Sequence, residues 1–296
     1  MRLFLTMFLL FLPFGIVCGA DSPIAVKADE LHNKGKYAEA QKLLLGSVPG
    51  TRGGKELAEL YWRAARETLE LADFAETEKK PKAEIMAQLA KGEGHADKAI
   101  AADPKNDLGY YYKAVTMGRW GEVKGIRDAF ARAGPMKELL VKELSINPER
   151  TDPYFVLALL YRVLPGWPMS FGSIDAAVSL GRKAVELRQA QVKAGTEKEL
   201  VYNFYNELAR SLYKRNWSQA KRMSEQKKKA AKVSAARTPL EKGSLFEATI
   251  VLKQMSDRAE AKALAQLTVN TLGKMSSLTA PQAKDFQKAK VLLAGW

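Results

Sequence analysis

The stretch Gly35-Lys36-Tyr37-Ala38-Glu39-Ala40 decides the fold of this chain, because it has the pattern of a turn between two helices of a hairpin. Glycine lets the backbone turn, and an aromatic residue three positions before a small one begins a helical stripe that continues at Leu43 and Leu44. Weaker copies of this pattern occur at 172–177, 216–220 and 260–261. A hairpin that recurs in this way cannot bury its apolar face alone, so we expect each hairpin to stack on its neighbours.

The amino-acid composition also favours helices. Apolar residues make up 47% of the 296 positions, which is ample for a buried core, and the helix-favouring residues Ala, Leu, Lys and Glu are abundant. No run of β-branched residues indicates a strand. The sequence therefore predicts an all-α fold of stacked antiparallel helical hairpins, a tetratricopeptide-like solenoid with irregular repeats. Because no interior linker stands out, we expect residues 21–296 to form a single domain.

Residues 1–20 have the pattern of a secretory signal peptide. Arg2 supplies a positive charge, an apolar run follows, and small residues precede the expected cleavage site after Ala20. We expect the mature chain to be periplasmic, with outer-membrane association as an alternative. A retained membrane anchor competes with this interpretation. However, the run from Leu3 to Ala20 is interrupted by Pro13 and Gly15 and is shorter than the roughly 20 residues that a span requires.

The single cysteine, Cys18, falls inside this leader. Lipid attachment at Cys18 would tether the chain to a membrane, but that processing prefers a small residue just before the cysteine, and Val17 stands there. We therefore do not expect membrane tethering unless Cys18 is lipidated. Cleavage after Ala20 would leave a mature chain without cysteine, which needs no disulfide in an oxidising compartment.

The chain is strongly basic. Its formal net charge is +14, and removal of the leader leaves 46 Lys and Arg against 33 Asp and Glu, or +13. A charge of this sign favours acidic partners such as lipid headgroups or anionic polymers. The competing interpretation is solvated helix faces, because helical spacing scatters the densest run, 221–232, around more than one face. The export leader argues against nucleic acid as a partner.

Apolar periodicity, capping residues and prolines predict the helix boundaries. The predicted helices are Pro23–Lys34, Tyr37–Ser47, Lys55–Glu76, Ala83–Ala102, Leu108–Arg119, Met136–Ser145, Tyr154–Val163, Ile174–Arg188, Glu197–Lys214, Trp217–Ala236, Leu240–Met255, Ala259–Leu272 and Pro281–Ala294. Between two of them, the stretch 164–172 contains two prolines and two glycines around two large aromatic residues. That composition predicts a loop that contains large apolar side chains.

Signatures of catalysis are scarce in the sequence. The two histidines, His32 and His95, have no metal-ligand spacing, so we expect no metal site and no cofactor. Glu67 and Glu70 form a carboxylate pair, but at helical spacing such a pair is ordinarily exposed to solvent. The chain has no glycine-rich phosphate loop and no nucleophile elbow. We therefore expect that it is not an enzyme.

The aromatic residues are the better indication of a site. Tyr111, Trp120, Trp167 and Phe171 are candidate ligand-binding residues, since aromatic walls with a few polar tips form pockets for apolar ligands. The competing interpretation is that these side chains interlock as core between stacked hairpins. A closed aromatic cavity near Trp167 would favour ligand binding, whereas a filled core with an open groove would favour a scaffold.

Several phrases resemble a family of exported bacterial tetratricopeptide-like proteins, the T-component (TatT) of TRAP-type transporters. The phrases lie at 99–104, 110–114, 117–125, 134–136, 164–166 and 177–187, within a match from Ala83 to Ala220. The resemblance implies a helical protein of the periplasm or outer membrane. It also implies oligomerisation and a role in handing hydrophobic or organic-acid ligands to a solute-binding partner. The chain departs from the family in lacking a lipidation pattern at Cys18.

Together these observations favour a non-catalytic periplasmic helical-repeat protein that acts as a protein-binding scaffold, since stacked hairpins offer extended surfaces. The expected partners are another protein, such as a periplasmic solute-binding protein, and a second copy of the chain. The alternative is a binder of a small apolar or organic-acid ligand in a cavity lined by Tyr111, Trp120, Trp167 and Phe171.

Overall fold

The fold is that of a computed structural model, which describes residues 22–296. Within this range the chain forms thirteen α-helices and no β-strand. The all-α prediction is therefore confirmed. The predicted signal peptide, including Cys18 and the cleavage site after Ala20, lies outside the described residues.

The described chain divides into two compact units, a first unit of residues 22–148 and a second unit of residues 149–296. The expectation of a single domain from residue 21 to residue 296 remains a prediction. Among the described residues, no helix is both long and apolar enough to cross a bilayer.

Six helices build the first unit. They are α1 (Pro23–Asn33), α2 (Tyr37–Ser47), α3 (Gly54–Thr77), α4 (Lys82–Ala102), α5 (Asp107–Lys124) and α6 (Ile126–Ile146). Each helix packs against the next one along the chain, and α3 also packs against both α1 and α5. Consecutive hairpins are therefore stacked, as the recurring turn pattern predicts.

The first hairpin turns at Gly35. Its φ of +71° lies in the left-handed region that favours glycine, and the amide of Lys36 donates to the carbonyl of Leu31 at 2.9 Å. On the returning helix, Ala40 and Leu44 are completely buried. The opening motif thus forms the predicted turn and apolar stripe.

Helix α6 corrects one predicted boundary. Pro135 was expected to start a helix at Met136, but α6 begins at Ile126 and runs through the proline. Pro135 donates no hydrogen bond to the carbonyl of Ala131, and both residues are exposed, so water can satisfy that carbonyl. The buried stripe of Ala133, Met136 and Leu140 keeps the helix continuous by packing.

Seven helices build the second unit. They are α7 (Asp152–Val163), α8 (Ile174–Ala194), α9 (Tyr202–Arg215), α10 (Gln219–Val233), α11 (Pro239–Ser244), α12 (Asp257–Leu272) and α13 (Ala280–Ala294). The order of packing is α7 on α8, α8 on α9, α9 on α12 and α12 on α13. Helix α9 therefore packs against the third helix after it, so the regular stacking of consecutive helices is interrupted here.

The predicted helix Leu240–Met255 is wrong. Helix α11 ends at Ser244, a 3-10 turn follows at Phe246–Thr249, and the chain then runs extended. The bend places the carboxylate of Glu247 among buried arginines, and the amide of Glu247 donates to Ser179 Oγ at 3.1 Å. These tertiary contacts override the local helical pattern.

Most other helices begin near their predicted residues, because capping side chains define their starts. Ser22, Asn106 and Ser173 each accept a hydrogen bond from a backbone amide in the first turn. Helix α9 is an exception, since it begins at Tyr202 instead of Glu197. The Glu197 carboxylate pairs with Arg188, which holds that segment against the end of α8.

Candidate functional site

The first unit contains a cluster of aromatic and arginine side chains where α3 meets α5. The rings of Trp62 and Tyr112 stack with centroids 5.5 Å apart at an interplanar angle of 9°. The Arg63 guanidinium lies 4.2 Å from the centroid of Trp62, and the ring of Tyr111 meets Tyr112 edge-on at 5.2 Å. Stacked rings and a cation over a buried indole stabilise the contact beyond the burial of area.

Carboxylates on α1 and α3 neutralise the arginines of this cluster. Asp29 accepts hydrogen bonds from Arg63 at 3.0 Å and from Arg66 at 2.7 Å. Burial alone would raise the pKa of Asp29, but the two guanidinium groups hold it below its ordinary value. The pairing therefore ties α1 to α3.

Glu67 belongs to the same cluster, so its predicted exposure is wrong. Its side chain is completely buried, and it accepts hydrogen bonds from Arg66 at 2.7 Å and lies 3.0 Å from Nδ1 of His32. A buried carboxylate persists only where charges and donors surround it. The Glu67 carboxylate therefore helps to hold the first hairpin against α3, and His32 is part of that contact.

The second histidine, His95, lies on α4. Burial lowers its pKa, and the nearby Lys98 and Lys91 lower it further, which favours the neutral ring. Among the described residues, no cluster of His, Cys, Asp or Glu side chains is arranged to hold a metal ion.

The four predicted ligand-binding residues are divided between the two units, with Tyr111 and Trp120 in the first. Tyr111 and Trp120 are nine residues apart on α5, which places them on opposite sides of that helix. Trp120 is covered by the guanidinium of Arg132, 3.9 Å from the ring centroid. Trp167 and Phe171 belong to the second unit.

Within the second unit, Trp167 and Phe171 differ in environment. The side chain of Trp167 is 91% exposed, whereas Phe171 packs edge-on against Tyr161 with ring centroids 5.1 Å apart. Ligand binding by Tyr111, Trp120, Trp167 and Phe171 therefore remains a prediction, and the exposure of Trp167 argues for an interaction surface there.

An open groove of about 300 Å³ lies between α5 and α6 in the first unit. It is lined by Lys113, Met117, Pro135, Glu138, Leu139 and Lys142. Met117 and Leu139 are half-buried and Pro135 is exposed, so the apolar part of the groove is accessible. Lys113 also pairs with Asp97 at 2.5 Å, which fixes one edge of the groove to α4. We name this feature the α5–α6 groove.

Sequence reasoning missed the α5–α6 groove because it treated Pro135 as a helix start. A proline on the exposed face of a continuous helix, beside half-buried Leu139, leaves no amide to bond and projects a flat apolar ring. The phrase Met117-Gly118 did stand out in the sequence, but nothing in it indicated that Met117 would lie opposite a proline.

Five arginines of the second unit are buried: Arg162, Arg182, Arg188, Arg215 and Arg222. Arg215 donates to Asp257 at 2.7 and 2.9 Å and to Glu247 at 2.5 Å. Arg182 forms a bidentate ion pair with Glu260, in which both hydrogen bonds are 2.9 Å long. Burial would raise the pKa of Glu247, but Arg215 and Arg182 hold it below its ordinary value.

Arg222 corrects the prediction that the basic run 221–232 is wholly solvated. Its side chain is 2% exposed, and its guanidinium donates to Glu260 at 2.5 Å and to the carbonyl of Met255 at 2.6 Å. The lysines at 221, 227, 228 and 232 are exposed, as expected for a solvated helix. Arg222 thus fixes α10 in place while these four lysines face water, and Lys229 of the same run pairs with Asp175 at 2.6 Å.

Comparison with known proteins relates the first unit and α7 to a described family. Residues 24–162 match the family model Regulator of microtubule dynamics protein 1-3. The mouse protein named Regulator of microtubule dynamics protein 1 is 24% identical over 126 residues, which cover 43% of this chain and 39% of the mouse protein. The chain is similar to regulators of microtubule dynamics. It spans about two fifths of the length of that relative.

These matches overturn the resemblance to the T-component of TRAP-type transporters. That resemblance rested on short phrases between Ala83 and Ala220, whereas the family match begins at residue 24 and ends at 162. Phrases such as those at 99–104 and 110–114 belong to helix ends and hairpin contacts, which unrelated helical repeats also share. The aromatic cluster and the α5–α6 groove lie inside the matched segment, and the buried arginines of the second unit lie at its end or beyond it.

Proposed function

We propose that this chain is a non-catalytic helical scaffold that binds another protein through the α5–α6 groove. The observation that carries the proposal is an open apolar groove inside the segment that matches regulators of microtubule dynamics. An accessible cleft of about 300 Å³ suits one or two side chains of a peptide segment better than a fully enclosed small molecule.

The chemistry of the groove indicates what such a segment carries. Met117, Pro135 and Leu139 offer apolar contact. Lys142 offers positive charge at one edge, whereas Lys113 is paired with Asp97 and a carboxylate, that of Glu138, also lines the groove. Methionine adapts its shape to different side chains, which suits a surface that accepts a peptide. The partner segment would therefore carry an apolar anchor side chain.

The names of the relatives suggest the first partner to test. Those proteins are described as regulators of microtubule dynamics, so the microtubule polymer is our first candidate partner. Export of this chain through residues 1–20 is a separate proposal, under which the partner would be a periplasmic protein, such as a solute-binding protein, or a second copy of the chain.

Co-sedimentation of the full chain with assembled microtubules tests the first partner. We expect Leu139→Ser to weaken binding by about tenfold, because it removes the apolar anchor contact. Leu267→Ser is the matched control, since Leu267 is a partly exposed leucine on α12 of the second unit. Failure to sediment would eliminate the microtubule as partner, and equal losses for both variants would eliminate the groove.

A photo-crosslinking amino acid at position 139 tests the groove without assuming a partner. In the host cell, we expect a crosslinked protein at position 139 that is absent at position 267 and is lost when Met117→Asp is added. A crosslink that persists with Met117→Asp, or that forms equally at both positions, would overturn the groove as the binding site.

A further inference from the structure

We propose that the loop between α7 and α8, residues 164–173, docks the second unit onto an anionic phospholipid surface. We name this segment the Trp167 loop. Three observations support the proposal. The loop exposes two large apolar side chains while its base is held by hydrogen bonds, cations lie near its base, and the net positive charge of the second unit lies on its surface. It does not depend on the α5–α6 groove, which lies in the other unit.

The Trp167 loop is held in one conformation by its own backbone. The amide of Gly172 donates to the carbonyl of Pro165 at 2.9 Å, and the amide of Ser173 donates to the carbonyl of Tyr161 at 2.8 Å. A Cβ at Gly172 would lie 2.0 Å from the carbonyl oxygen of Leu164, so only glycine permits this closure. The base of the loop is therefore closed on the end of α7.

The tip of the loop presents its apolar side chains to solvent. Trp167 is 91% exposed and Met169 is 71% exposed, whereas Phe171 packs against Tyr161. The loop thus packs one half-buried aromatic residue against α7 and leaves two large apolar side chains exposed. Trp is the residue that most favours the boundary between lipid headgroups and acyl chains, because its ring is apolar and its N–H is polar.

Cations surround the end of the unit that carries this loop. Lys214, at the end of α9, donates at 2.8 Å to the carbonyl of Arg162, which is the penultimate residue of α7. Arg162 donates to Glu207 at 2.5 Å, Arg210 lies 3.3 Å from the same carboxylate, and Lys288 also pairs with it. Three cations therefore share one buried carboxylate, and Lys214 donates to a backbone carbonyl instead, which leaves an excess of positive charge beside the loop.

The charge of the second unit lies on its surface. Residues 149–296 contain 25 Lys and Arg against 13 Asp and Glu, a formal net charge of +12, whereas residues 22–148 contain 21 against 19. The five buried arginines are matched in number by five buried carboxylates: Glu207, Glu247, Asp257, Glu260 and Asp285. Because these buried charges largely cancel, most of the surplus positive charge belongs to side chains that contact solvent.

This arrangement fits a bilayer better than it fits a folded protein partner. The exposed lysines of α10 and other helices spread the charge over the unit instead of concentrating it in a cleft, which suits an extended anionic surface. A projecting tryptophan would need a preformed pocket on a protein partner, whereas a bilayer interface accepts it without one. Positive charge would bring the unit to the surface, and Trp167 and Met169 would insert.

Vesicle flotation of the full chain tests the proposal. We expect binding to vesicles that mix phosphatidylcholine with phosphatidylglycerol, no binding to vesicles of phosphatidylcholine alone, and a loss of binding as salt screens the charge. Trp167→Ala and Met169→Ala should each weaken binding, with the double variant at least about tenfold weaker. Ile126→Ala is the matched control, since Ile126 is 88% exposed on the weakly charged first unit.

Tryptophan fluorescence gives a readout that electrostatic attraction alone would not move. We expect a blue shift when the wild-type chain binds mixed vesicles, and Trp167→Phe should retain most of the binding but lose most of the shift. Circular dichroism of each variant checks that the fold is unchanged, as expected for exposed positions.

Three results would overturn the proposal. The first is equal binding to both kinds of vesicle or to neither, and the second is binding that Trp167→Ala and Met169→Ala leave unchanged. The third is that polyglutamate abolishes vesicle binding by the wild type and by Trp167→Ala equally well. That result would indicate a surface that binds any acidic protein or polyanion.

Discussion

Arg215 on α9 and Asp257 on α12 form a two-bonded ion pair, with Nε–Oδ2 and Nη2–Oδ1 distances of 2.7 and 2.9 Å. Both side chains are buried, and 42 residues separate them along the chain. The same aspartate accepts a hydrogen bond from the amide of Trp217 at 3.0 Å. This pair therefore joins α12 to α9 at the point where the regular order of stacking is interrupted.

Removal of Arg215 should destabilise the second unit strongly. Arg215→Ala leaves Asp257 and Glu247 buried without their main cation, which we expect to lower the free energy of unfolding by about 3 to 5 kcal/mol. Arg210→Ala is the control, since the Arg210 side chain is 40% exposed and its buried partner Glu207 keeps two other cations. It should cost less than about 1 kcal/mol. Chemical denaturation measures both, and similar losses for the two variants would contradict the argument.

The stability of the second unit should depend on the ionisation of Asp285. Burial and the nearby Glu207 raise the pKa of this carboxyl, and Lys288 and Lys284 lower it. The raising effects are larger, and the resulting pKa is about 7. The folded state therefore holds a proton that the unfolded state releases near the ordinary carboxyl pKa of 3.8. Its stabilising effect is complete below that value and is lost as pH rises through about 7.

Thermal unfolding of Asp285→Asn tests this pH dependence. From about pH 5 to about pH 8, the wild type should lose stability relative to the variant, on the order of 1 to 3 kcal/mol, because asparagine cannot ionise. Glu138→Gln, at an exposed carboxylate of the first unit, serves as the control. Parallel pH profiles for the wild type and Asp285→Asn would show that Asp285 does not carry the effect.

Two glycine substitutions should have opposite effects. A Cβ on Gly243 would lie 2.9 Å from Cδ2 of Leu180 and 3.0 Å from Cε1 of Tyr154, so Gly243→Ala should destabilise by about 1 to 3 kcal/mol. A Cβ on Gly94, within α4, would meet no atom within 4 Å. Gly94→Ala should therefore stabilise by about 0.5 to 1 kcal/mol. Thermal unfolding compares them, and a shift of the same sign would refute the packing at Gly243.

Two tryptophans should differ widely in their effect on stability. Trp62 is 1% exposed and stacks on Tyr112, so Trp62→Ala should destabilise by about 3 to 5 kcal/mol. Trp167→Ala should leave the unfolding midpoint nearly unchanged, since that side chain is 91% exposed. Equal shifts on chemical denaturation would mean that Trp167 is packed in solution.

The predicted leader has a direct test. If residues 1–20 are removed on export, intact-mass measurement of the chain purified from its host should give a mature protein that begins at Asp21. A chain that retains Met1 would refute cleavage after Ala20.

The sequence was most informative where structure is local. Gly35 predicted the turn that it forms, and the predicted helix starts at Leu108 and Ile174 lie within one residue of the observed ones, because turns and caps depend on residues a few positions apart. The local pattern also predicted correctly that 164–172 would not be helical.

Prediction failed where distant partners decide the structure. In the sequence, Arg222 looks like one more exposed cation of a basic run. It is buried because it contacts Glu260, which is 38 residues away. Glu67 reads as an exposed carboxylate until Arg66 and His32 surround it. The α5–α6 groove depends likewise on how two helices meet, which the spacing of Pro135 cannot specify.

The placement of the two kinds of cation has a consequence for chemical modification. Every fully buried cation among the described residues is an arginine, and none is a lysine. Acylation of lysine amines would therefore erase most of the positive surface of the second unit without reaching the arginines that hold its helices together. In this protein, lysine modification can change the surface charge after folding, while the buried arginine ion pairs that hold the fold remain unmodified.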